Sequence, residues 1–372
     1  MPSRRLTRAI VDLGRLQANV RAVRAWIGPS VDLMAVIKAG GYGHGAAPVA
    51  RAALEAGARW LGVACVDEGL ALRAEGIRAP ILVLGHSATA EAPAAIQGNL
   101  TLTLGTSTQC EAMAAVARES NDPIRVHLKI DTGMGRFGIL PEQIPLVASI
   151  LRSAPAIIVE GCFTHLARGE EEPSRATNSQ LDRFEDTIGA LRRRGIDPPL
   201  LHAANSGATI IAPRAHYSMV RAGLLIYGYR PDPASASQLP LAPVMEVHSA
   251  LVRVETLPEG ARIGYGHTHT LAQPTRVGLV PIGYADGLPR ALSGVGSLVV
   301  GGQRVPIIGR VSMDQCSVDL SGVPGAREGD PVCVMGCQGN AGIWADDLAT
   351  WSGTVSYEVL CGISLRVPRQ YR

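Results

Sequence analysis

The chain contains no uninterrupted apolar run near the roughly 18 to 20 residues needed to cross a bilayer. Its first residues, MPSRRLTRAIVDLG, carry basic side chains but no apolar core before Asp12 interrupts. A secretory signal is therefore not expected, and an unprocessed cytoplasmic protein is. Charge of one sign is also scarce: 35 Lys and Arg stand against 32 Asp and Glu, a net charge of +3 over 372 residues, which asks for neither nucleic acid nor a membrane surface. Paired cysteine spacing is missing as well. The seven cysteines are odd in number and scattered, and Cys333 and Cys337 have three residues between them where a redox motif or zinc knuckle has two, so reduced thiols are expected. His267 and His269 have no third ligand nearby in the sequence, and no metal is expected.

Hydrophobic residues make up 47% of the chain and charged residues 18%, a globular composition long enough for two domains or a large barrel with an added module. Between Asp32 and Gly228, eight short apolar runs alternate with helical patterns. They begin at Leu33, Trp60, Pro80, Leu100, Ile124, Ala156, Leu200 and Ser218. Most are rich in Val, Ile and Leu without clean alternation, as strands covered on both faces require. This predicts an α/β fold, a (β/α)8 TIM-like barrel, over residues 10–235. Helices are expected over Ala46–Ala56, Glu142–Arg152 and Asn178–Arg194. Another is expected after Asp12, with Leu13, Leu16, Val20, Val23 and Ile27 forming one apolar stripe.

Pro231 to Pro243 is a Pro/Ala/Ser stretch of linker type, and beyond it helical periodicity fades. Glycine-punctuated β-like runs follow. They predict a predominantly β C-terminal domain over 240–372, joined by residues 1–9, in which only Ala345–Trp351 reads as helical.

In such a barrel, reactive residues collect where strands end and loops begin. The first strand ends at Lys38, ahead of AGGYGHG; the fifth runs into Asp131-Thr-Gly-Met-Gly-Arg136. The sixth ends at Thr164-His165, the seventh at Asn205-Ser206-Gly207, and the eighth holds Arg221-Ala-Gly223. A lysine within the apolar AVIK is expected to be buried, which favours the neutral, nucleophilic amine that condenses with an aldehyde. The glycine-rich loop after it offers flexible backbone and a phenol for an anionic phosphate. Asp131-Thr-Gly occurs once, in a strand-to-helix context, which speaks against an aspartic protease.

The wording and order of these segments resemble bacterial alanine racemase over nearly the whole chain. AVIKAGGYGHG resembles that family's AVVKANAYGHG, and KIDTGMGRFG its DTGMGRLG segment. FTHLA, HAANS, VRAGLLIYG, GYGHT, GYADGLPR, GRVSMDQ and SYEVLCGISLRVPR then follow in the family's order. The resemblance implies a racemase dependent on pyridoxal 5'-phosphate that interconverts L- and D-alanine, an isomerase supplying D-alanine for biosynthesis of peptidoglycan precursors or acting in D-alanine breakdown. It implies that Lys38 carries the cofactor. Tyr42, Ser206, Tyr357 and the backbone at Gly223 and Leu224 would hold its phosphate, and Arg221 would face the ring nitrogen. His165 would lie near the ring or toward Arg221, and Asn205 would help fix the site. Arg136, the Met313 backbone and Tyr284 would meet the substrate, and Lys129 matches a position often carboxylated by CO2.

Racemisation needs proton transfer on both faces of one planar carbon, and one base does not easily serve both. Lys38 and Tyr265 fill the two roles by this resemblance, with Tyr265 contributed by the second subunit of a homodimer. A free phenol titrates near 10, so Tyr265 needs a network to act near neutrality, and His165 and Arg221 are candidates. Rival readings are a serine or broad-specificity racemase, a decarboxylase of basic amino acids and a non-catalytic pyridoxal-phosphate-binding protein. The chain departs from the family pattern at Gly40 and Gly41, which replace Asn-Ala; at Gly264, which replaces Ser; and at Ala222, which replaces Pro. Looser loops are expected there, with a more mobile phosphate loop after Arg221.

Overall fold

The computed structural model describes residues 5–120, 122–169, 175–231 and 239–372. Most of the linker-like stretch lies outside them. The chain divides into two compact units: one of residues 16–41 and 46–242, the other of residues up to 15, 42–45 and 243–372.

The larger unit is the barrel. Eight strands form it: β2 (Asp32–Val36), β3 (Trp60–Val63), β4 (Ile81–Val83), β5 (Leu102–Leu104), β6 (Ile124–Lys129), β7 (Ile157–Phe163), β8 (Leu200–His202) and β9 (Met219–Ala222). Seven fall within their apolar runs, and β2 begins one residue before its own. All ladders are parallel, in two sheets ordered β4-β3-β2-β9 and β5-β6-β7-β8. A parallel bridge between Leu82 and Thr101 joins β4 to β5. The other seam is closed where Ser218 N–H donates to Leu201 O and Arg221 N–H to Ala204 O, both at 3.1 Å. Inside the ring Met34, Trp60, Leu82, Phe163 and Met219 pack into one buried cluster, so the barrel is filled and not a pore.

Four helices arise from the expected stripes, and Val66–Ala74 and Ser107–Glu119 form besides them. Leu13–Ile27 buries Leu16, Val20, Val23 and Ile27, and Asp12 Oδ1 caps it by accepting the Arg15 N–H at 2.9 Å. Ala46–Glu55, Ile144–Arg152 and Arg175–Arg192 are the other three. Glu142 itself falls in a short 3₁₀ turn ahead of its helix.

The smaller unit is built on a long antiparallel sheet that recruits both ends of the chain. β1 (Arg8–Val11) pairs antiparallel with β10 (Met245–Ala250) and parallel with a strand at Arg369–Tyr371. A charged cluster pins this seam: Arg15 Nη1 lies 2.8 Å from Glu246 Oε1, His248 Nε2 3.0 Å from Glu246 Oε2, and Arg372 Nε 3.0 Å from Asp12 Oδ2. One helix was not expected. Ser356–Gly362 coils beside Ala345–Ser352, in a segment too short and too mixed in polarity to announce a period. All seven cysteines are free thiols. Among the described residues no helix is long and apolar enough to cross a membrane.

Glu246 makes the seam pH-dependent. The hydrogen bond from His248 lowers its pKa most, burial opposes that, and Arg15 lowers it further, from 4.5 to about 2. A depressed carboxyl stabilises the fold above its unfolded pKa and loses that contribution as pH falls toward the folded value. Glu246→Gln is therefore expected to cost on the order of 1 to 3 kcal/mol near neutrality, with the deficit vanishing in acid. Urea unfolding of both proteins across that range checks it, and a deficit that persists below about pH 2 contradicts it.

Candidate active site

β2 ends at Val36, and the Ile37 N–H carries the ladder one step further to Gly62 O at 2.8 Å. Lys38 follows outside the strand. It is exposed at the rim, not buried inside an apolar strand as the AVIK run suggested. The backbone has already left extended geometry there.

The chain after Lys38 turns left-handed for five residues, with φ of 52° at Ala39, 63° at Gly40, 67° at Gly41, 51° at Tyr42 and 80° at Gly43. Gly41 N–H closes the turn on Ile37 O at 2.8 Å. Left-handed helix disfavours side chains by roughly 1 to 2 kcal/mol per residue, so Gly40 and Gly41 suit this turn and do not loosen it. Glu68 anchors its start: one carboxylate oxygen accepts the Ala39 N–H at 2.6 Å and the other the Ala64 N–H at 2.7 Å. Sequence reasoning passed over this carboxylate, which lies 30 residues on in an ordinary helical pattern.

Arg221 sits at the end of β9, buried, with its guanidinium carbon 5.3 Å above the Phe163 ring. Its hydrogen-bond partners are all neutral. Nη1 donates to His202 Nδ1 at 2.9 Å; Nη2 donates to Thr164 O at 2.9 Å, to Ala203 O at 3.0 Å and, more weakly, to His165 Nδ1 at 3.3 Å. Burial pulls its pKa down to about 9, which leaves it a cation near neutrality.

Because a guanidinium only donates, His202 must accept on Nδ1 and carry its proton on Nε2. That proton points to His127 Nδ1, 2.9 Å away, so His127 is protonated on Nε2, an atom with no hydrogen-bond partner. Both rings are held neutral: burial and then Arg221 lower His127 to about 3 and His202 well below its usual value. His202 stacks on Phe163 with ring centroids 4.7 Å apart. Neither histidine was singled out from sequence. The signal was present, since His127 and Lys129 are two apart on β6 and so share its inward face.

Lys129 is buried, with Nζ 4.8 Å from the Phe137 ring centre and 5.6 Å from that of Phe163. Burial, then the charges of Arg136 and Arg221, bring its pKa down to about 8. His165 is likewise depressed to about 3, by burial and then by Arg221, Arg136, Lys129 and Lys38. These five side chains thus act on one another on one rim. The carboxylate among them is Asp131, whose Oδ1 accepts the N–H groups of Gly133 and Met134 at 2.9 Å and Gly135 at 3.1 Å. Burial would raise Asp131, but these backbone donors outweigh it and lower its pKa.

The phosphate-type donors fall in both units. In the barrel, Ser206 Oγ accepts the Gly223 N–H at 3.0 Å, just before Leu224 opens a 3₁₀ turn. Asn205 caps the helix Ser206–Ile211 by accepting the Ala208 N–H at 3.0 Å, so its side chain is spent on the loop that presents Ser206. Ala222 is fully buried at the end of β9 and pairs with Ala35. In the other unit Tyr42 and Tyr357 lie with ring centroids 6.0 Å apart, and burial raises the Tyr42 phenol. The Tyr284 and Met313 segments are joined there by backbone bonds, Tyr284 N–H to Ser312 O and Ala285 N–H to Met313 O, and Tyr265 stands 74% exposed on a short turn flanked by Gly264 and Gly266, both at φ 70°.

The donor set suits an anionic ligand. Lys38, Lys129, Arg136 and Arg221 place cations on one rim whose carboxylate is already satisfied by backbone, and a phosphorylated coenzyme with an amino acid's carboxylate matches that surplus. A buried guanidinium with donors to spare and an exposed amine at the rim are the chemistry a pyridine aldehyde calls for.

The family profiles for the N-terminal and C-terminal domains of alanine racemase match residues 11–231 and 244–371. Alanine racemase of Symbiobacterium thermophilum is 44% identical over 99% of this chain and 97% of its own. The crystal structure of alanine racemase from D-cycloserine-producing Streptomyces lavendulae superposes with a TM-score of 0.95 at 38% identity, covering 100% of this chain and 98% of that one. Alanine racemase from Bartonella henselae, solved with covalently bound pyridoxal phosphate, superposes at 0.89 with 26% identity over 99% of each chain. Barrel, rim lysine and cationic cluster define the class: a pyridoxal-phosphate-dependent isomerase of the barrel type. Within that class, the chain belongs to the alanine racemase family.

His202→Leu tests the buried chain. It deprives Arg221 of an acceptor and His127 of a donor in a dry site, and is expected to lower stability by roughly 1 to 3 kcal/mol. A denaturation midpoint equal to the wild type's contradicts the assignment.

Proposed function

We propose that this protein interconverts L- and D-alanine with two bases, Lys38 on one side of the substrate and Tyr265 on the other, and that it does so as a homodimer in the cytoplasm. The observation that carries the reading is the rim cluster, in which Lys38 shares its electrostatic environment with a buried Arg221 whose partners are all neutral. Pyridoxal phosphate, when bound, supplies the electron sink that makes the substrate's α-hydrogen acidic.

The chain's own groups do the rest. Lys38 would hold the coenzyme and exchange the α-proton at its Nζ; the Tyr265 Oη of a second copy would exchange it on the opposite face. Arg221 uses Nη1 once and Nη2 three times inside the barrel, leaving Nε–H and the second Nη1–H as the donors for a ring nitrogen. A guanidinium still charged near neutrality gives hydrogen bonds but not its proton, so Arg221 would hold a ring nitrogen without protonating it and would limit the negative charge the coenzyme can take up. Ser206, the Gly223 and Leu224 backbone, Tyr42 and Tyr357 would hold the phosphate through neutral donors, while Asn205 shapes the Ser206 loop. His165, kept neutral by its cationic neighbours, would orient the phenol of Tyr265. Arg136, the Met313 backbone and Tyr284 would receive the alanine carboxylate and close around its methyl group.

Lys129 fits carboxylation. With its pKa brought to about 8, part of the amine is neutral near physiological pH and can add CO2; the product is an anion beside Arg136 and Arg221, two charges that oppose the ammonium. Holoenzyme equilibrated with 13C-bicarbonate is expected to show a carbamate carbon that Lys129→Ala abolishes, and no such signal in the wild type contradicts it.

The shared site is tested by complementation. Lys38→Ala and Tyr265→Ala chains, each inactive alone, are mixed under conditions that exchange subunits. Racemase activity should return toward a quarter of the wild-type value per chain, since mixed dimers form about half the population and carry one intact site each. No recovery, with mixed dimers demonstrated, contradicts a site completed by the second copy.

A further inference from the structure

The β-rich unit contains a carboxylate that the reaction as described leaves unused. Asp286 is fully buried at the end of the turn Tyr284–Asp286. Its Oδ2 accepts the Gly283 N–H at 3.1 Å, and its Oδ1 lies 2.5 Å from Arg5 Nη2 and 3.4 Å from Arg366 Nε. Arg366 extends its Nη2 to Asp314 Oδ1 at 2.7 Å, the residue after Met313. The two segments are also stitched through backbone: Tyr284 N–H donates to Ser312 O and Ala285 N–H to Met313 O, both at 3.0 Å. A third segment is drawn in where Ser364 N–H donates to Asp286 O at 3.0 Å and Arg5 Nη1 to Arg366 O at 2.8 Å.

The approach is close enough to fix residue types. A Cβ on Gly283 would fall 2.2 Å from Ser312 O and 2.4 Å from Met313 O, so only glycine lets the turn lie against the Met313 segment. The Arg366–Asp314 pair is exposed and contributes little by itself. The hub is Asp286, because a dry carboxylate facing two guanidinium groups and a backbone N–H has one low-energy arrangement, and three segments must meet it.

We propose that Asp286 is a positioning residue for the substrate end of the site: through Gly283 it sets the turn that presents Tyr284, and through Arg366 and Asp314 it sets the Met313 segment. The proposal rests on the reading that Tyr284 and Met313 meet the substrate. Asp286 touches neither substrate nor coenzyme in this account. Its loss should then weaken alanine binding while leaving coenzyme binding and proton transfer largely intact.

Steady-state kinetics of coenzyme-loaded Asp286→Asn, Arg366→Met, Arg366→Lys and Tyr284→Ala in both directions test this, with visible absorption and melting temperature read on the same samples. Asp286→Asn is expected to raise the KM for alanine about tenfold with kcat within about threefold and an unchanged coenzyme band. Arg366→Met should raise KM by about threefold, and Arg366→Lys, which keeps the charge, should restore most of it. A KM unchanged in Asp286→Asn, with activity falling only as the loaded fraction falls, overturns the proposal. If Asp286→Asn does not fold, the exposed Arg366 carries the test, and an unchanged KM in Arg366→Met overturns it equally. Tyr284→Ala separates the two layers. A raised KM there without one in the Asp286 and Arg366 variants removes the positioning role alone, whereas an unchanged KM in Tyr284→Ala removes the substrate reading of Tyr284 and the proposal together.

Discussion

A guanidinium buried in a barrel without a carboxylate partner among the described residues is what this site is organised around. A lone buried ion is unfavourable by several kcal/mol unless dipoles replace its hydration. Here two carbonyl oxygens and two imidazole nitrogens do so, from the ends of the two neighbouring strands β7 and β8. Satisfying Arg221 in this way dictates the rest. It fixes the tautomers of His202 and His127, which in turn line the barrel beside Phe163 and Trp60, and leaves one imidazole N–H unanswered at the far end. An aspartate in place of this set would have neutralised the cation. Neutral partners leave its charge available to whatever binds above it.

The same surplus reaches Lys129 and His165, whose proton affinities fall because their neighbours are cations as well as because they are buried. Against it stands Lys38, held at the rim by a left-handed turn whose first N–H is tied to Glu68. In the proposed reaction these features divide the work. The turn presents the amine, the rim charges gather an anionic coenzyme and substrate, and Arg221 limits how much negative charge the ring can keep. The second base proposed, on the other unit, is an exposed tyrosine between two glycines at positive φ.

Much of the barrel was legible because buried parallel strands declare themselves as apolar runs, and seven of the eight runs contain their strand while the first misses its own by one residue. The helices announced by apolar stripes formed close to their expected bounds. What escaped was carried by contacts distant in sequence. Arg8–Val11 becomes a strand only because Met245–Ala250 and Arg369–Tyr371 flank it, and Ser356–Gly362 is helical through packing and not through period. Rim residues could be named from strand ends and family wording, but their environments could not. Lys38 was expected inside a strand that stops two residues earlier, the glycines after it were expected to loosen a loop that they in fact complete, and His202 gained meaning only once Arg221 was seen to need an acceptor. Asp286 sits in a turn motif whose spacing gives no hint that Arg5, 281 residues away, closes on it.

In the proposed reaction a charged Arg221 with neutral partners would keep the coenzyme's ring nitrogen unprotonated. 15N NMR of the holoenzyme, loaded with pyridoxal phosphate labelled at that nitrogen, measures this directly. The chemical shift of an unprotonated pyridine that accepts a hydrogen bond is expected at neutral pH, and a shift characteristic of a protonated pyridinium would contradict this role of Arg221.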